Sequence, residues 1–293
     1  MIMVNRFCIA GHIVELKAPE ESVVWDACSK YDPFKTISSV APVCSLEFAP
    51  LSIIEKGEMV YEVREKGYPR MSFYRNGGGW IVEMAPEADS PIVAVMETSI
   101  DFVKARMEMI EHSRHALSFA IDNALMLLFA ISTAALDTLE IHSSVTLCDG
   151  KGYAFLGKSG TGKSTHSRLW REFVPGSELL NDDNPIIRII DGEVWIFGSP
   201  WSGKTPCYRN LGAPLGAVVR ISQSPDNKIR RLPLVEAYAS MFSSCSAFRA
   251  VPGTADGIHA TLSKLVSLVP MYVLDCRPDS EAAILCHSTV CGQ

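Results

Sequence analysis

Gly157-Lys158-Ser159-Gly160-Thr161-Gly162-Lys163-Ser164-Thr165 decides how this chain is read. The run satisfies G-x-x-x-x-G-K-[ST] and adds a further glycine at the centre of the loop. A loop that wraps a polyphosphate must turn successive backbone N–H groups inward, and glycine alone tolerates the φ values and close approach this requires. Lys163 supplies a fixed positive charge for the β/γ-phosphates and Ser164 a hydroxyl for Mg²⁺. The apolar run Tyr153-Ala154-Phe155-Leu156 ahead of the loop predicts a strand, and Thr165 to Phe173 behind it predicts a helix whose positive dipole end faces the same anion. Gly157, Ser159, Gly160, Thr161, Gly162, Lys163, Ser164 and Thr165 are therefore the expected nucleotide-binding residues.

Working outward, Ser144-Val145-Thr146-Leu147 and Tyr153 to Leu156 flank the turn Asp149-Gly150-Lys151-Gly152. The strand entering the loop is thus expected to be one arm of an antiparallel hairpin. In the common phosphate-loop architecture it would instead be reached through a parallel crossover. Beyond the loop helix, Glu178 to Asp183 reads as a strand ending in two carboxylates. Ile186 to Ile190 and Val194 to Phe197 flank Asp191-Gly192, a two-residue hairpin signal. Gly216 to Ile221 and Met271 to Leu274 read as strands, Val235 to Phe248 and Asp256 to Leu268 as helices, and Asp279 as the cap of a last helix. The fold class expected is mixed α/β (α+β) with antiparallel hairpins, not a doubly wound parallel sheet.

The first hundred residues read as β-rich. Val4 to Ile9, Met59 to Val63, and the pair Arg70 to Tyr74 and Gly79 to Val82 around Asn76-Gly77-Gly78 carry strand composition. Ser99 to His115 has the mixed polarity of a partly exposed helix, and Ala116 to Leu136 is strongly apolar. Asp122 and Asn123 would be costly in a bilayer, so a buried core helix is the reading there, not a membrane span. The division expected is 1–114, a β-rich region without assigned role, and 115–293, the nucleotide-binding domain.

The 293 residues are 47% hydrophobic and 20% charged with a net charge of −6, which gives no electrostatic reason to bind nucleic acid or anionic membrane. Nine cysteines, an odd number without a C-x-x-C pair, and an N-terminus unlike a signal peptide lead to the expectation of reduced thiols in a cytoplasmic protein without a zinc site. Oligomeric state is left open, a homo-oligomer included.

Phosphoryl transfer needs an anion cradle, a metal held by an acidic residue, and a group that orients or deprotonates the nucleophile. Asp182-Asp183 is the best candidate for the last two, because neighbours on a strand face opposite ways. His142, fifteen residues before Gly157, gains meaning only by comparison. Gly198-Ser199-Pro200-Trp201-Ser202-Gly203-Lys204-Thr205 is rich in loop formers and donors, and Lys204 is a candidate cation for the γ-phosphate during transfer. Arg209 is a candidate phosphate clamp. His166 reads as a structural or exposed residue.

Over roughly residues 139 to 221 these features resemble the HPr kinase/phosphorylase and phosphoenolpyruvate carboxykinase superfamily. In HPr kinases a His begins a hairpin that runs into G-x-S-G-x-G-K-S, and an Asp-Asp pair follows the loop helix; His142, Gly157 to Ser164 and Asp182-Asp183 match in order. The loop also resembles the carboxykinase form G-x-S-G-T-G-K-T-T. The resemblance implies that Lys163 and Ser164 bind ATP and Mg²⁺, that Asp182 is the metal-side carboxylate, that Asp183 is the base on an acceptor hydroxyl, and that His142 lines the same site. The downstream HPr kinase signature is met only by Arg209-Asn210-Leu211-Gly212, so HPr itself and phosphorylase activity are not implied. The function expected is an ATP- and Mg²⁺-dependent kinase acting on a hydroxyl of a protein serine or a serine-like metabolite. Two alternatives stand beside it: a non-catalytic nucleotide-binding module whose N-terminal region holds a partner, and a carboxykinase-like phosphotransferase.

Overall fold

The computed structural model describes residues 1–51, 55–203, 205–246, 250–251 and 253–292. The chain is mixed α/β and forms two compact units, Met1–Thr133 with Phe248–Ala255, and Ala134–Ala247 with Asp256–Gln293.

The first unit is built on strands β1 (Ile2–Ile9), β2 (His12–Pro19), β3 (Cys44–Phe48), β4 (Met59–Val63), β5 (Arg70–Asn76), β6 (Gly79–Ala85), β7 (Ala94–Ser99) and β8 (Lys104–Met109), with helices α1 (Val24–Ala27) and α2 (Arg114–Thr133). The strands form one eight-stranded sheet in the order β1-β2-β3-β8-β7-β6-β5-β4. The expected hairpin closes at Gly77-Gly78, where Asn76 pairs Gly79.

Two expectations change here. Within the stretch read as a helix from Ser99 to His115, residues 104–109 are strand β8, paired to β3 and β7. Lys-Ala-Arg-Met-Glu-Met alternates strictly, with Ala105, Met107 and Met109 buried and Lys104 and Arg106 exposed; period two wins over average polarity. The boundary drawn at residue 114 falls instead after Thr133, because α2 packs on α1, β3 and β7 and covers the apolar side of that sheet. Helix α2 is long and apolar enough to cross a membrane, but 56% of its most apolar stretch is buried within the protein. Its one acid, Asp122, pairs with Lys30 and accepts a 2.8 Å hydrogen bond from the Tyr31 hydroxyl.

The second unit holds β9 (Thr138–Glu140), β10 (Ser143–Cys148), β11 (Lys151–Leu156), α3 (Lys163–Phe173), β12 (Glu178–Asp183), β13 (Ile186–Ile190), β14 (Glu193–Phe197), β15 (Gly212–Gln223), β16 (Lys228–Arg231), α4 (Leu234–Phe242), all but the first two residues of α5 (Thr254–Leu268), β17 (Met271–Cys276) and α6 (Ser280–Cys291). Its sheet runs β12-β10-β11-β15-β14-β13-β9, with β17 also on β15 and β16 on β17. As expected, β10 and β11 are an antiparallel hairpin, closed by Asp149 and Gly150 at φ +49° and +75°. On its other edge β11 is parallel to β15, which is parallel to β17. The long β15 joins the two pairings: its first residues pair antiparallel with β14, and its later ones lie between β11 and β17.

Alternation along these strands supplies two cores. Tyr153, Phe155, Val219 and Ile221 face Leu169 and Trp170 of α3 and Ala282 and Cys286 of α6. Ala154, Leu156 and Val218 face Met241 of α4 and Leu262 of α5. Helices thus cover both faces, and the glycine-rich loop 157–162 leaves the end of the central strand β11. Helix α4 stops at Phe242, short of the expected Phe248. Arg220 of β15 bonds the carbonyl of Ser240 and the hydroxyls of Ser243 and Ser244, and Cys245 bridges Ile141. These contacts draw the chain out of the helix. Of the expected α4, residues 247 and 248 lie outside the described residues.

Candidate functional site

The loop geometry follows from its glycines. Gly160 and Gly162 sit at φ +81° and +105°, where a β-carbon would be strained. Gly162 is the N-cap of α3 and offers no side chain to its first turn, so the free N–H groups there face outward. Within the loop the Thr161 hydroxyl bonds the carbonyl of Lys158 at 2.8 Å.

A cleft of about 470 Å³ opens at this helix end. His142, Ser143, Ser159, Gly160, Gly162, Lys163, Ser164, Thr165, Asp182, Asp183, Gly203 and Thr205 line it. Most of the residues expected from sequence are therefore together. Gly157 takes part through its carbonyl, which accepts from Lys163 Nζ at 2.9 Å. Thr161 borders the neighbouring cleft instead. Lys204 lies outside the described residues, although Gly203 and Thr205 on either side reach the cleft.

Strand register explains the carboxylates. Ser144 pairs Asp182 and Ser143 pairs Asp183. Directly paired residues share a face, so Asp182 lies on the side of Ser144, whose hydroxyl is 2.7 Å from Ser167 of α3. Asp183 lies on the other side. Both border one cleft because the strand ends there. Gly203 donates to the Asp182 carbonyl at 2.6 Å, and a β-carbon on Gly203 would come within 2.9 Å of that oxygen, so the 198–205 loop is seated on the acidic pair.

Lys163, His142 and Asp183 form a line. Lys163 Nζ is 2.9 Å from His142 Nε2, and His142 Nδ1 is 3.0 Å from Asp183 Oδ1. An ammonium has only donors, so Nε2 accepts, and the ring's own proton sits on Nδ1 and is donated to Asp183. The other Asp183 oxygen accepts from the Asn184 side chain at 3.0 Å. Lys163 is buried, and burial pulls its pKa below the ordinary lysine value while Asp183 and Asp182 hold it up in part and Arg220 adds to the lowering.

Three features were not foreseen. Arg220, half-buried behind the site, was signalled only by a lone cation inside Ala-Val-Val-Arg-Ile. Glu140 is fully buried, with Oε1 accepting from Ser246 at 3.0 Å and Oε2 without a partner. Burial pushes its carboxyl up to about 8; the Ser246 bond offsets part of this and the Asp183 charge adds to it. The third is a second cleft of about 600 Å³ that shares Gly160, Gly162 and Thr165 with the first and carries the apolar groups Leu169, Ile221, Pro225 and Pro278.

Two further candidates resolve differently. Arg209 is engaged elsewhere: it donates to the Leu179 carbonyl at 2.8 Å and to Glu178 at 2.9 Å, at the start of β12. Five residues of strand, roughly 17 Å, separate that end from Asp183, so Arg209 is no clamp in this cleft. His166 is structural: it is buried, accepts from Trp170 Nε1 at 3.1 Å, and burial pulls its pKa down to about 4.

No family model matches the chain, and no curated protein matches it.

Proposed function

We propose that this chain is an ATP- and Mg²⁺-dependent phosphotransferase that delivers the γ-phosphate to a hydroxyl. The observation that carries the reading is the single cleft in which a glycine-built helix N-terminus, Lys163 and the Asp182-Asp183 pair meet. A backbone cradle with one buried cation suits a polyphosphate, and two carboxylates in the same space as a lysine suit a metal-bound nucleotide better than a bare anion. When bound, MgATP would supply the electrophilic phosphoryl group.

The chain's own groups would divide the remaining work. The loop N–H groups and Lys163 hold phosphate oxygens, and Ser164 and Asp182 hold the metal. The second cleft takes the nucleoside, with Leu169, Ile221, Pro225 and Pro278 as apolar walls. Asp183 faces the acceptor and takes its proton at a carboxylate oxygen, while His142 fixes the orientation of that carboxylate through Nδ1. Resemblance of His142, the loop and the acidic pair to HPr kinases adds to this reading and suggests a serine-like acceptor.

One observation favours the second reading, a nucleotide-binding module without catalysis: both Asp183 oxygens already accept hydrogen bonds, from His142 and Asn184. A carboxylate oxygen accepts two such bonds, so a substrate hydroxyl still has a place. The carboxykinase-like reading gains nothing from Arg209, which the Leu179 carbonyl and Glu178 hold at the start of β12. Calorimetric titration of MgATP into the wild-type chain should show saturable binding at one site per chain, followed by turnover when hydroxyl acceptors are added. Absence of saturable heat would remove the nucleotide reading, and binding without any transfer or hydrolysis would favour the module.

A further inference from the structure

At the far end of the β10–β11 hairpin, three donors of different chemistry meet. Cys148 closes β10, Asp149 is the first residue of the two-residue turn, and His287 comes from α6. One donor atom from each lies within 4.8 Å of the other two, the one such group among the described residues. Cys148 Sγ and His287 Nε2 are 3.8 Å apart. A tetrahedral zinc with Zn–S of about 2.3 Å and Zn–N of about 2.05 Å places sulfur and nitrogen about 3.6 Å apart. The pair stands within a few tenths of an ångström of that edge.

We propose that Cys148, Asp149 and His287 form a zinc site that ties α6 to the hairpin turn. A thiol against an imidazole is by itself a weak hydrogen bond; the carboxylate as third donor is what a thiol–imidazole pair does not need and a zinc ion does. The alternative use of such a triad is a cysteine nucleophile. It does not suit this place, because Cys148 is 2% exposed and its sulfur is closed to an incoming substrate. A metal would displace the thiol proton to solvent and bind the sulfur as thiolate. The neighbours hold the donors in place. The Trp170 ring meets His287 edge-on at 5.5 Å, and Asp149 is fixed at φ +49° by the hairpin. Along β10 the set is roughly 17 Å from Ser143 at the nucleotide cleft, so it is a separate site. It escapes the C-x-x-C pattern because two ligands are adjacent and the third is more than a hundred residues away.

The test is titration of the reduced, metal-free chain with Co²⁺, read by absorbance, followed by displacement with Zn²⁺. One equivalent of Co²⁺ should give the ligand-field bands of a tetrahedral ion and a thiolate-to-cobalt charge-transfer band, both lost on adding Zn²⁺. Cys148→Ser should abolish the charge-transfer band, and Asp149→Asn and His287→Gln should each weaken affinity at least about tenfold, since even groups behind the ligands are worth that much. Cys291→Ser is the control, because Cys291 lies one turn beyond His287 on the same helix. It should keep the band. Absence of a thiolate band in the wild-type chain, or a band that survives Cys148→Ser and vanishes with Cys291→Ser, overturns the proposal. Should Cys148→Ser fail to fold, Asp149→Asn decides: Asn suits the positive φ of the turn, and unchanged Co²⁺ affinity in that variant overturns the proposal equally.

Discussion

Two clefts of nearly equal volume, about 520 Å³ in the first unit and about 470 Å³ in the second, differ in everything that bears on chemistry. The first lies over a sheet face and is lined by Lys17, Glu47, Glu97, Lys104 and Arg106, charges of both signs standing on strand surfaces. Lys17 is paired with Glu15 at 2.8 Å, and Arg106 donates to the Pro50 carbonyl. The second lies at the end of a parallel strand, where a helix begins. Its cation is buried, its two carboxylates are neighbours, and one histidine bonds to both charge types. Volume is a poor guide to a site; convergence of donors at the end of a strand is a good one.

The comparison breaks first at Lys163. Replacing it by Ala should lower phosphoryl transfer by about 10²–10³-fold, because the developing charge loses its nearest fixed cation. Steady-state kinetics at several MgATP concentrations would show the loss; unchanged kcat/KM would make the Lys163 cleft no more chemical than the cleft of the first unit.

A matched change in the first unit should act on stability alone. Asp122→Ala leaves the Lys30 ammonium and the Tyr31 hydroxyl without their shared partner, and should cost about 3 kcal/mol, read as a lower urea midpoint. MgATP affinity of the folded protein should be unchanged. A drop in affinity of the folded variant would show that the first unit contributes to the nucleotide site.

A smaller effect is expected at Glu140. Its carboxyl titrates near 8 when folded, against 4.5 for the free group, so between those values the folded chain holds a proton that the unfolded chain has lost. This contribution therefore favours folding less as pH rises from about 4.5 to about 8. Burial gives His166 the opposite sign, since with its pKa near 4 it costs stability as pH falls below about 6.5. Glu140→Gln should flatten the loss on the alkaline side, and urea midpoints at pH 5 and pH 8 would show it. An unaltered slope would mean that Glu140 is ionised in the folded protein. Smallest of all, Lys104→Ala at the first cleft should leave stability within about 0.5 kcal/mol and MgATP affinity unchanged, as titration and urea melts can verify.

What could be read in advance was local. The glycine-rich loop ahead of α3, the Asp149-Gly150 and Asp191-Gly192 turns and the Asp279 cap, which accepts from the Ala282 N–H, depend on residues a few positions apart. The acidic pair could be placed by counting along one strand. Residues 104–109 have the mean polarity of a half-exposed helix, yet their alternation makes them a strand, because which face is buried is set by period and not by average composition. Arg220, Glu140 and the Cys148–Asp149–His287 group could not be found, since each owes its meaning to a strand or helix distant in sequence. Arg209 failed as a candidate for the same reason: Glu178, thirty-one residues away, holds it.

The central claim is a division of labour between Asp182 and Asp183, and one experiment addresses it most directly. Mg²⁺-dependent ATP binding and γ-phosphate turnover should be measured side by side for Asp182→Asn and Asp183→Asn. Asp182→Asn should weaken Mg²⁺-dependent binding. Asp183→Asn should bind nearly as well as the wild type and turn over about 10²–10⁴-fold more slowly, as for a lost general base. Equal and small effects of both variants on binding and on turnover would contradict the account and leave the acidic pair as a turn beside a nucleotide site.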